Sequence, residues 1–341
     1  MDRRIFIQAL ASGALLKAQP TNPVLHPKAL RPGDTVALIA PSTHVSDPDR
    51  LQAVSRTVEY FGLKPKFGRN VRKKWGYAGG TIDERLDDLH AAFSDPEVKA
   101  VFCIRGGYAA GQLLDRIDYK LIERNPKIFI GYSDITAMHL AIHKLTGLVT
   151  FHGPVTTSPF TSYTQDCYKR ALFGTRPLGA LTNPAESNAF RPNHHIRTIR
   201  SGTARGKLTG GNMSLICATM GTPYEIDTRG KILFIEDVDE QAYTIDRMLT
   251  QLRLAGKLQQ AAGIVWGECS DCGPKDYKPS FTEGNFSVGE VVDNILGSLK
   301  VPVVSGLTIG HTADQLTLPL GLDATLDADT GTLTIHEAAC V

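Results

Sequence analysis

The strongest constraint on the fold is a regular alternation of short apolar runs and amphipathic segments in the first half of the chain. The apolar runs cover residues 35–40 (TVALIA), 99–104 (KAVFCI) and 127–130 (KIFI), and a glycine or proline lies within two residues of each. Apolar, β-branched runs of this length are typical of buried strands. Strands that alternate with helices predict an α/β protein with a mostly parallel sheet and helices on both faces.

Local capping signals place several of the helices. Thr81 and Glu84 form a capping box ahead of an apolar period, which predicts a helix start. We expect another helix over residues 46–61, capped by Ser46. A further helix is expected around Leu113. Ligands of such sheets bind at the carboxyl ends of the strands, so the turns between each strand and its helix are the candidate site.

The chain length and its patterning predict two domains. A chain of 341 residues is long enough for about two domains of roughly 150 residues each. Periodicity is lost after about residue 156, where Pro, Ser, Thr and Asn dominate. We therefore expect an N-terminal α/β domain over residues 30–160, a linker with some short helix over 161–195, and a C-terminal domain over 196–341.

Charge and hydrophobicity exclude several classes of protein. Lys and Arg number 37 against 35 Asp and Glu, a net charge of +2, so a broad nucleic-acid-binding surface is not expected. Hydrophobic residues make up 42% of the chain, which is ordinary for a globular protein and excludes disorder or coiled coil as a description of the whole. No segment after residue 20 is long and apolar enough to predict a membrane anchor.

The first twenty residues have the pattern of an export signal. Arg3 and Arg4 precede an apolar run over residues 5–16, and Ala18 is the best candidate for the cleavage position. The sequence Arg-Arg-x-Phe-Ile resembles the twin-arginine motif, which is read by a receptor and is not an anchor. We predict a signal peptide over residues 1–20 and a periplasmic protein. The alternative is an ordinary N-terminal amphipathic helix on a cytoplasmic protein.

The cysteines do not predict a metal site. Cys269 and Cys272 form a single CxxC pair, whereas a structural zinc site usually has a second pair. A disulfide between them is compatible with export, and their state stays open at the level of sequence. Cys103 and Cys217 lie in apolar runs and are expected to be core residues.

Three side chains are candidates for catalysis, each with a simpler alternative. Ser133 lies in a predicted strand-to-helix turn, where nearby helix amides can stabilise an oxyanion; it is either a nucleophile or, like Asp134, a helix cap. Glu236 ends the apolar strand ILFIED and either projects into a cleft or is solvated. His311 follows an apolar run in a loop, where a histidine usually has no special role.

The remaining histidines are weaker candidates. His139 and His143 have the i,i+4 spacing of helical metal ligands, but no carboxylate of the HExxH kind lies between them, so a helix-surface pair is expected. His152 ends a strand near the proposed site and is expected to line it. His194 and His195 lie in a polar loop with no assigned role.

Nine short blocks in the chain occur in the order found in one protein family. The chain resembles the LD-carboxypeptidase family, which also includes the microcin C self-immunity proteins. Each block alone is weak evidence, but together they cover nearly everything after about residue 30. The blocks are Ala40-Pro41-Ser42, Arg105-Gly106-Gly107-Tyr108, Gly131-Tyr132-Ser133-Asp134, Phe151-His152-Gly153-Pro154, Gly210-Gly211-Asn212, Glu236-Asp237, Asp246-Arg247-Met248-Leu249, Gly310-His311 and Thr317-Leu318-Pro319-Leu320-Gly321.

The resemblance implies a catalytic site and an architecture. It implies a triad of Ser133, His311 and Glu236, with an oxyanion hole from the backbone amides of Gly107 and Asp134. It also implies a flavodoxin-like parallel-sheet N-terminal domain, a β-rich α/β C-terminal domain and a homodimer. No metal or organic cofactor is expected.

The activity implied by the resemblance is that of a serine carboxypeptidase that cuts an L,D amide bond. The expected substrate is a murein tetrapeptide, from which the terminal D-alanine is released during peptidoglycan recycling or remodelling. One alternative is a microcin-immunity-like amidase that cleaves aminoacyl-nucleotide toxins with the same triad. A second alternative, of another class, is a murein-peptide-binding protein with an inactive site.

Overall fold

The computed structural model describes residues 22–185, 194–273 and 286–341. The predicted signal segment, residues 1–20, lies outside the described residues. The described chain has a mixed α/β fold with two sheets, one of six strands and one of eight. Strands and helices are numbered in chain order.

The first sheet is the parallel sheet that the alternating pattern predicts. Its strands are β1 (Thr35–Ile39), β2 (Lys64–Phe67), β3 (Val98–Cys103), β4 (Ile128–Gly131), β5 (Phe151–His152) and β12 (Leu318–Pro319). The helices between its parallel strands are α1 (Pro48–Tyr60), α2 (Ile82–Ser94), α3 (Tyr119–Arg124) and α4 (Thr136–Thr146). The strand order is β12-β5-β4-β3-β1-β2, and β1 to β5 are parallel. The order β2-β1-β3-β4-β5 is that of flavodoxin-like sheets, as expected.

The second sheet is richer in antiparallel pairs. Its strands are β6 (Gly179–Leu181), β7 (Arg197–Arg200), β8 (Thr203–Asn212), β9 (Ile232–Val238), β10 (Gly263–Ser270), β11 (Val303–Ser305), β13 (Asp323–Asp327) and β14 (Thr332–Ile335). The accompanying helices are α5 (Ser162–Phe173), α6 (Met213–Ala218), α7 (Ala242–Leu254), α8 (Lys257–Gln260) and α9 (Val288–Leu296). Only β8 to β11 are parallel to one another. The predicted β-rich α/β partner of the first sheet is therefore confirmed.

The predicted cap of α2 is confirmed, whereas the predicted cap of α1 is wrong by one residue. Thr81 and Glu84 form the predicted box, in which the Glu84 carboxylate accepts the Thr81 N–H at 2.9 Å. Helix α1 begins at Pro48, and its cap is Asp47 rather than Ser46, because the Asp47 carboxylate accepts the Asp49 N–H at 3.0 Å.

The helix expected around Leu113 is only a 3-10 turn, Ala110–Leu113. Ala109 enters this turn in the left-handed conformation, at φ +98°. A new cap at Asp118, whose carboxylate accepts the Leu121 N–H at 2.9 Å, then starts α3. Leu113 and Leu114 are therefore buried in the core although no long helix forms here.

The predicted linker contains a regular helix that belongs to the core. Helix α5 occupies residues 162–173 and buries one face, including Tyr168 and Leu172. The Tyr168 ring lies 6.0 Å from that of Phe102 in β3. One hydrophobic cluster contains both Phe102 and Phe234 of β9, so the two sheets share a core.

The chain returns to the first sheet near its end. Strand β12 pairs antiparallel with β5, with Leu318 opposite His152 and Pro319 opposite Phe151. Proline lacks an N–H and is tolerated at a sheet edge, which is where β12 lies. This pairing brings the segment that follows His311 onto the sheet that carries Ser133.

The two cysteine predictions have clear outcomes. Cys103 is fully buried, and Cys217 is half-buried at the edge of the core. Cys269 and Cys272 form a disulfide at the end of β10. In the part of the chain that the structure describes, no helix is long and apolar enough to cross a bilayer.

Candidate active site

Ser133 lies on a strained turn directly after β4. Its φ is +63°, in the left-handed region that residues other than glycine rarely adopt. Packing fixes the turn: a Cβ on Gly106 would lie 3.0 Å from the Ser133 Cβ, and one on Gly131 would lie 3.0 Å from a methylene of Ile135. Non-glycine residues held in this region cluster at functional sites.

Neither Ser133 nor Asp134 caps a helix, so the capping alternative is wrong. The residue before α4 is Ile135, with no side-chain cap. The Asp134 carboxylate instead accepts the Ser42 hydroxyl and, at 2.8 Å, the Ala110 N–H. Burial raises the pKa of Asp134, although these two hydrogen bonds oppose the shift.

Glu236 and His311 form a buried pair. The Nδ1 atom of His311 lies 2.9 Å from Oε2 of Glu236, and Glu236 is 0% exposed. The alternative of a solvated strand end is therefore wrong. Because a carboxylate only accepts, His311 donates from Nδ1, which leaves Nε2 as the nitrogen that can accept a proton.

Gly310 makes this pairing sterically possible. Its φ is +106°, and a Cβ there would lie 2.3 Å from Oε2 of Glu236. Its carbonyl accepts a hydrogen bond from the Gln315 side chain, which is itself buried. Residue 310 must therefore be glycine for the loop that contains His311 to pass this close to the Glu236 side chain at the end of β9.

The two sheets bring these residues into one cavity. Ser133 from the first sheet and His311 from the second both line a cavity of about 540 Å³. The His311 ring also packs on Tyr132, with a centroid distance of 4.8 Å. Ser133 and His311 thus share one cavity, and a buried carboxylate orients the imidazole of His311.

The loop of the predicted oxyanion hole forms part of the cavity wall. Gly107 has a φ of +122°, and a Cβ there would lie 2.1 Å from Oγ1 of Thr43. The same Thr43 oxygen accepts the Tyr108 N–H at 2.9 Å, and the Ser42 hydroxyl, which donates to Asp134, lies 3.2 Å from the Tyr108 carbonyl oxygen. Residues that follow β1 therefore hold the loop that follows β3 beside Ser133.

Arg85 supports this loop through hydrogen bonds, a role that no sequence pattern indicated. It is 2% exposed, and one terminal nitrogen donates to the carbonyls of Pro41 at 2.9 Å and Ala109 at 2.8 Å. Its other terminal nitrogen donates to Gln112 at 2.7 Å. Residue type alone predicts an exposed side chain at this position, since arginine is seldom fully buried.

A second polar group lines the cavity from the other sheet. Asn212 donates to Asp237 at 3.0 Å, and the Ser214 hydroxyl donates to the same carboxylate at 2.9 Å. The Asn212 N–H also donates to Thr136 at 3.0 Å, and a Cβ on Gly211 would lie 2.5 Å from that threonine. The Gly-Gly-Asn motif was the sequence signal for this contact between the sheets.

The other histidines near the site are structural, and the expected helix-surface pair is wrong. His139 is fully buried and donates to the Gly131 carbonyl at 2.9 Å; His143 donates to the Leu148 carbonyl at 3.0 Å. Burial lowers the pKa of each to about 4. His152 is also buried, and burial lowers its pKa well below the usual value. Among the described residues no cluster of three metal-binding side chains occurs.

His194 joins three segments of the chain, although no sequence pattern assigned it a role. Its Nδ1 lies 2.6 Å from Glu268 and its Nε2 lies 3.2 Å from Asp314. Burial lowers the pKa of His194, but hydrogen bonds and charge from the two carboxylates outweigh it and raise the pKa. Asp314 lies three residues after His311, so this ion pair anchors the loop that carries the candidate base.

An α/β protein with a serine on a left-handed strand-to-helix turn, beside a carboxylate-oriented histidine in one cavity, belongs to the hydrolases. Comparison with known families gives the particular one. Residues 36–153 match the LD-carboxypeptidase N-terminal domain, and residues 205–326 match the LD-carboxypeptidase C-terminal domain. The chain belongs to the LD-carboxypeptidase family.

Individual relatives agree with this assignment. The chain is 42% identical over 320 residues to a protein of Bacillus subtilis (strain 168) named "Probable murein peptide carboxypeptidase", covering 91% of this chain and 94% of the relative. The fold of this chain matches that of the microcin C7 self-immunity protein MccF with a TM-score of 0.83 at 27% identity, over 93% of this chain and 100% of the MccF chain. It also matches the muramoyltetrapeptide carboxypeptidase of Oxalobacter formigenes with a TM-score of 0.75 at 28% identity, over 88% and 97%.

Proposed function

We propose that this protein is a serine-type LD-carboxypeptidase that releases the terminal D-alanine of murein tetrapeptides. The observation that carries the proposal is that Ser133 and His311 line one cavity while the buried Glu236 holds His311. The substrate follows from the names of the Bacillus and Oxalobacter relatives, which refer to murein peptides.

The proposed reaction has two halves. The Ser133 Oγ attacks the carbonyl carbon of the L-centre, and its proton passes to Nε2 of His311. The C–N bond then breaks, and His311 returns the proton to the departing amine of D-alanine. A water molecule attacks the acyl-enzyme and gives its proton to His311, which returns that proton to the Ser133 Oγ as the ester bond breaks and the shortened peptide leaves.

Glu236 stabilises the charged form of His311 during both halves. Its carboxylate is fully buried and its Oε1 receives no hydrogen bond from any described residue, so His311 is its principal partner. A buried carboxylate without a cation is costly, and the imidazolium that forms in the transition state offsets that cost.

The backbone amides of Gly107 and Asp134 form the proposed oxyanion hole. Gly107 lines the same cavity as Ser133, and Asp134 is the second residue of the 3-10 turn Ser133–Ile135 that leads into α4. Each such donor contributes on the order of 10²–10³ in kcat. Every step uses groups of this chain, so we expect treatment with EDTA to leave the rate unchanged.

A second candidate function rests on the structural match to MccF. An amidase that cleaves aminoacyl-nucleotide toxins needs the same three residues, and only the rest of the cavity distinguishes the substrates. Periplasmic location through twin-arginine export, and assembly as a homodimer, are further proposals that rest on the sequence and its family resemblance.

A substrate panel tests the proposal. The purified protein is incubated with a murein tetrapeptide and, in parallel, with an aminoacyl sulfamoyl nucleoside; products are identified by mass spectrometry. We expect D-alanine from the tetrapeptide, and a fall in kcat on the order of 10⁴ or more in Ser133→Ala. Tetrapeptide turnover that persists in folded Ser133→Ala contradicts the assignment of the nucleophile. Binding of tetrapeptide without turnover by the wild type indicates an inactive binding protein.

A further inference from the structure

The cavity contains two arginines that no described acid pairs with. Arg105 directly follows β3 and is half-buried, and Arg50 is exposed on α1. Within the described ranges, neither side chain takes part in an ion pair or hydrogen bond. By contrast Arg69, Arg116 and Arg205, which lie outside this cavity, each pair with an aspartate.

These two arginines are close enough to affect each other. Burial lowers the pKa of Arg105, and the charge of Arg50 lowers it further. Two guanidinium groups that share a partly buried wall repel each other, and an anion between them removes that repulsion. The free site is therefore electrostatically complementary to an anion.

The position of Arg105 relates this anion to the reaction. Gly106, the next residue, is in contact with Ser133: a Cβ there would lie 3.3 Å from the Ser133 Oγ. The following residue, Gly107, is the proposed oxyanion donor. Arg105 therefore precedes a residue that contacts Ser133, and both Arg105 and Ser133 line the same cavity.

The charges of the cavity are divided between the two sheets. Arg50 and Arg105 come from the first sheet and its helices, whereas Asp237, Asp239 and Glu240 come from the end of β9. A carboxylate is attracted to the first side, where the two arginines have no acidic partner among the described residues. The substrate is thus oriented with its negative end toward Arg105.

We propose that Arg105, assisted by Arg50, binds the C-terminal carboxylate of the substrate and so restricts cleavage to the last residue of the peptide. The inference rests on the proposed carboxypeptidase function and extends it to the residues that select a chain end. The guanidinium group matches a carboxylate in a bidentate geometry that lysine does not reproduce. A single D-alanine residue separates the scissile carbonyl from that carboxylate, so the group that binds the carboxylate must line the same cavity as Ser133, as Arg105 does.

Two peptides that differ only at the C-terminus test the proposal. One is a tetrapeptide with a free terminal carboxylate, and the other is its carboxamide. We expect the wild type to favour the free acid in kcat/KM by on the order of 10–100-fold, the range of one or two hydrogen bonds to a charged group. In Arg105→Gln that preference falls close to one, mainly because KM for the free acid rises.

Further variants separate this role from a structural one. Arg105→Lys keeps the charge and is expected to be intermediate, and Arg50→Gln is expected to reduce the preference less. Arg56→Ala is the matched control, because Arg56 is exposed on the same helix α1 and does not line the cavity. Binding of both peptides to Ser133→Ala, measured by calorimetry, reports the same preference without catalysis.

The outcomes distinguish a failure of the proposed carboxypeptidase function from a failure of the proposed role of Arg105. Cleavage of neither peptide by the wild type overturns the carboxypeptidase function itself. Cleavage of both peptides at equal rates, or an unchanged preference in Arg105→Gln, overturns the role of Arg105 and leaves the carboxypeptidase function standing. An equal loss on both peptides also overturns it, since that result indicates a structural role. If Arg105→Gln does not fold, the preference of Arg50→Gln decides, and an unchanged value overturns the proposal. A tetrapeptide with a free C-terminus and an amidated carboxylate on its second residue is the control for charge elsewhere in the peptide; a loss as large as that of the C-terminal carboxamide overturns the proposal.

Discussion

Nδ1 of His311 lies 2.9 Å from Oε2 of Glu236, a carboxylate 75 residues earlier in the chain that has no exposure to solvent. This hydrogen bond fixes both the tautomer and the orientation of the imidazole. It connects the end of a buried strand to a loop, and it leaves Nε2 as the ring nitrogen that is not bound to Glu236.

Replacing the acid with its amide tests this arrangement. Glu236→Gln keeps the shape of the side chain but removes the charge, so it no longer stabilises the imidazolium. We expect kcat to fall by on the order of 10³–10⁴, with KM nearly unchanged. Steady-state kinetics on the tetrapeptide measure this, and circular dichroism checks the fold. A variant within tenfold of the wild type would show that Glu236 does not act through His311.

Gly310 is expected to be intolerant of any side chain. In Gly310→Ala the new Cβ meets Oε2 of Glu236, and the residue must also keep a φ of +106°. The backbone strain alone is about 1–3 kcal/mol, and relief of the clash moves His311. We expect both a lower melting temperature and a loss of kcat of at least about 100-fold, since small misplacements near the chemistry have effects of this size.

The control for Gly310→Ala is Gly289→Ala. Gly289 lies in α9 and is exposed, and a Cβ added there would have only a serine oxygen nearby, at 3.9 Å. Alanine there favours the helix and is expected to raise or maintain stability without a change in rate. If Gly310→Ala and Gly289→Ala have equal melting temperatures and equal kcat, the close approach of residue 310 to Glu236 does not control stability or rate.

The ion pair of His194 predicts a dependence of stability on pH. Both ring nitrogens face carboxylates, on Glu268 and Asp314, and both can donate only when the ring is protonated. Because the folded pKa is raised above the unfolded value of about 6.5, the stabilisation is fully present below that value. It is lost as the pH rises through the folded pKa.

Melting temperatures of wild type and His194→Gln between about pH 5.5 and 8.5 measure this effect. We expect the difference between the two proteins to be greatest at the acid end and to shrink as the pH rises. His336→Gln is a suitable control, since His336 is an exposed histidine directly after β14 whose ring bonds the Thr325 hydroxyl rather than a carboxylate. A difference that grows with pH would contradict the assignment of a charged His194.

Export is the prediction for residues 1–20. Arg3 and Arg4 precede a short apolar run, and the first family block begins at residue 40. We expect the mature chain to begin a little after Ala18 and the double variant Arg3→Lys, Arg4→Lys to accumulate as an uncleaved precursor. Fractionation with N-terminal sequencing measures both. Recovery of the full-length wild type in the cytoplasm alone would contradict export.

The sequence by itself determined the local elements and the identity of the candidate residues. The apolar runs of β1, β3 and β4 and the Thr81–Glu84 capping box depend on neighbours within a few positions, so their pattern is visible along the chain. The order of short blocks was sufficient to identify the family. It also named Ser133, Glu236 and His311, because such blocks preserve the residues around a site.

Only the tertiary structure decided the environment of those residues. From the sequence, Ser133 is either a nucleophile or a helix cap, and Glu236 is either a carboxylate in a cleft or a solvated strand end. The sequence does not decide, because the burial of each residue depends on elements far away in the chain. The pairing of β12 with β5, the bracing by Arg85 and the ion pair of His194 with Asp314, 120 residues apart, have no local signature. Periodicity reports which face of an element is apolar, but it does not report which other element covers that face. The environment of this site depends on that second fact, because the packing of the two sheets brings Ser133 and His311 into one cavity and buries the carboxylate that binds the histidine.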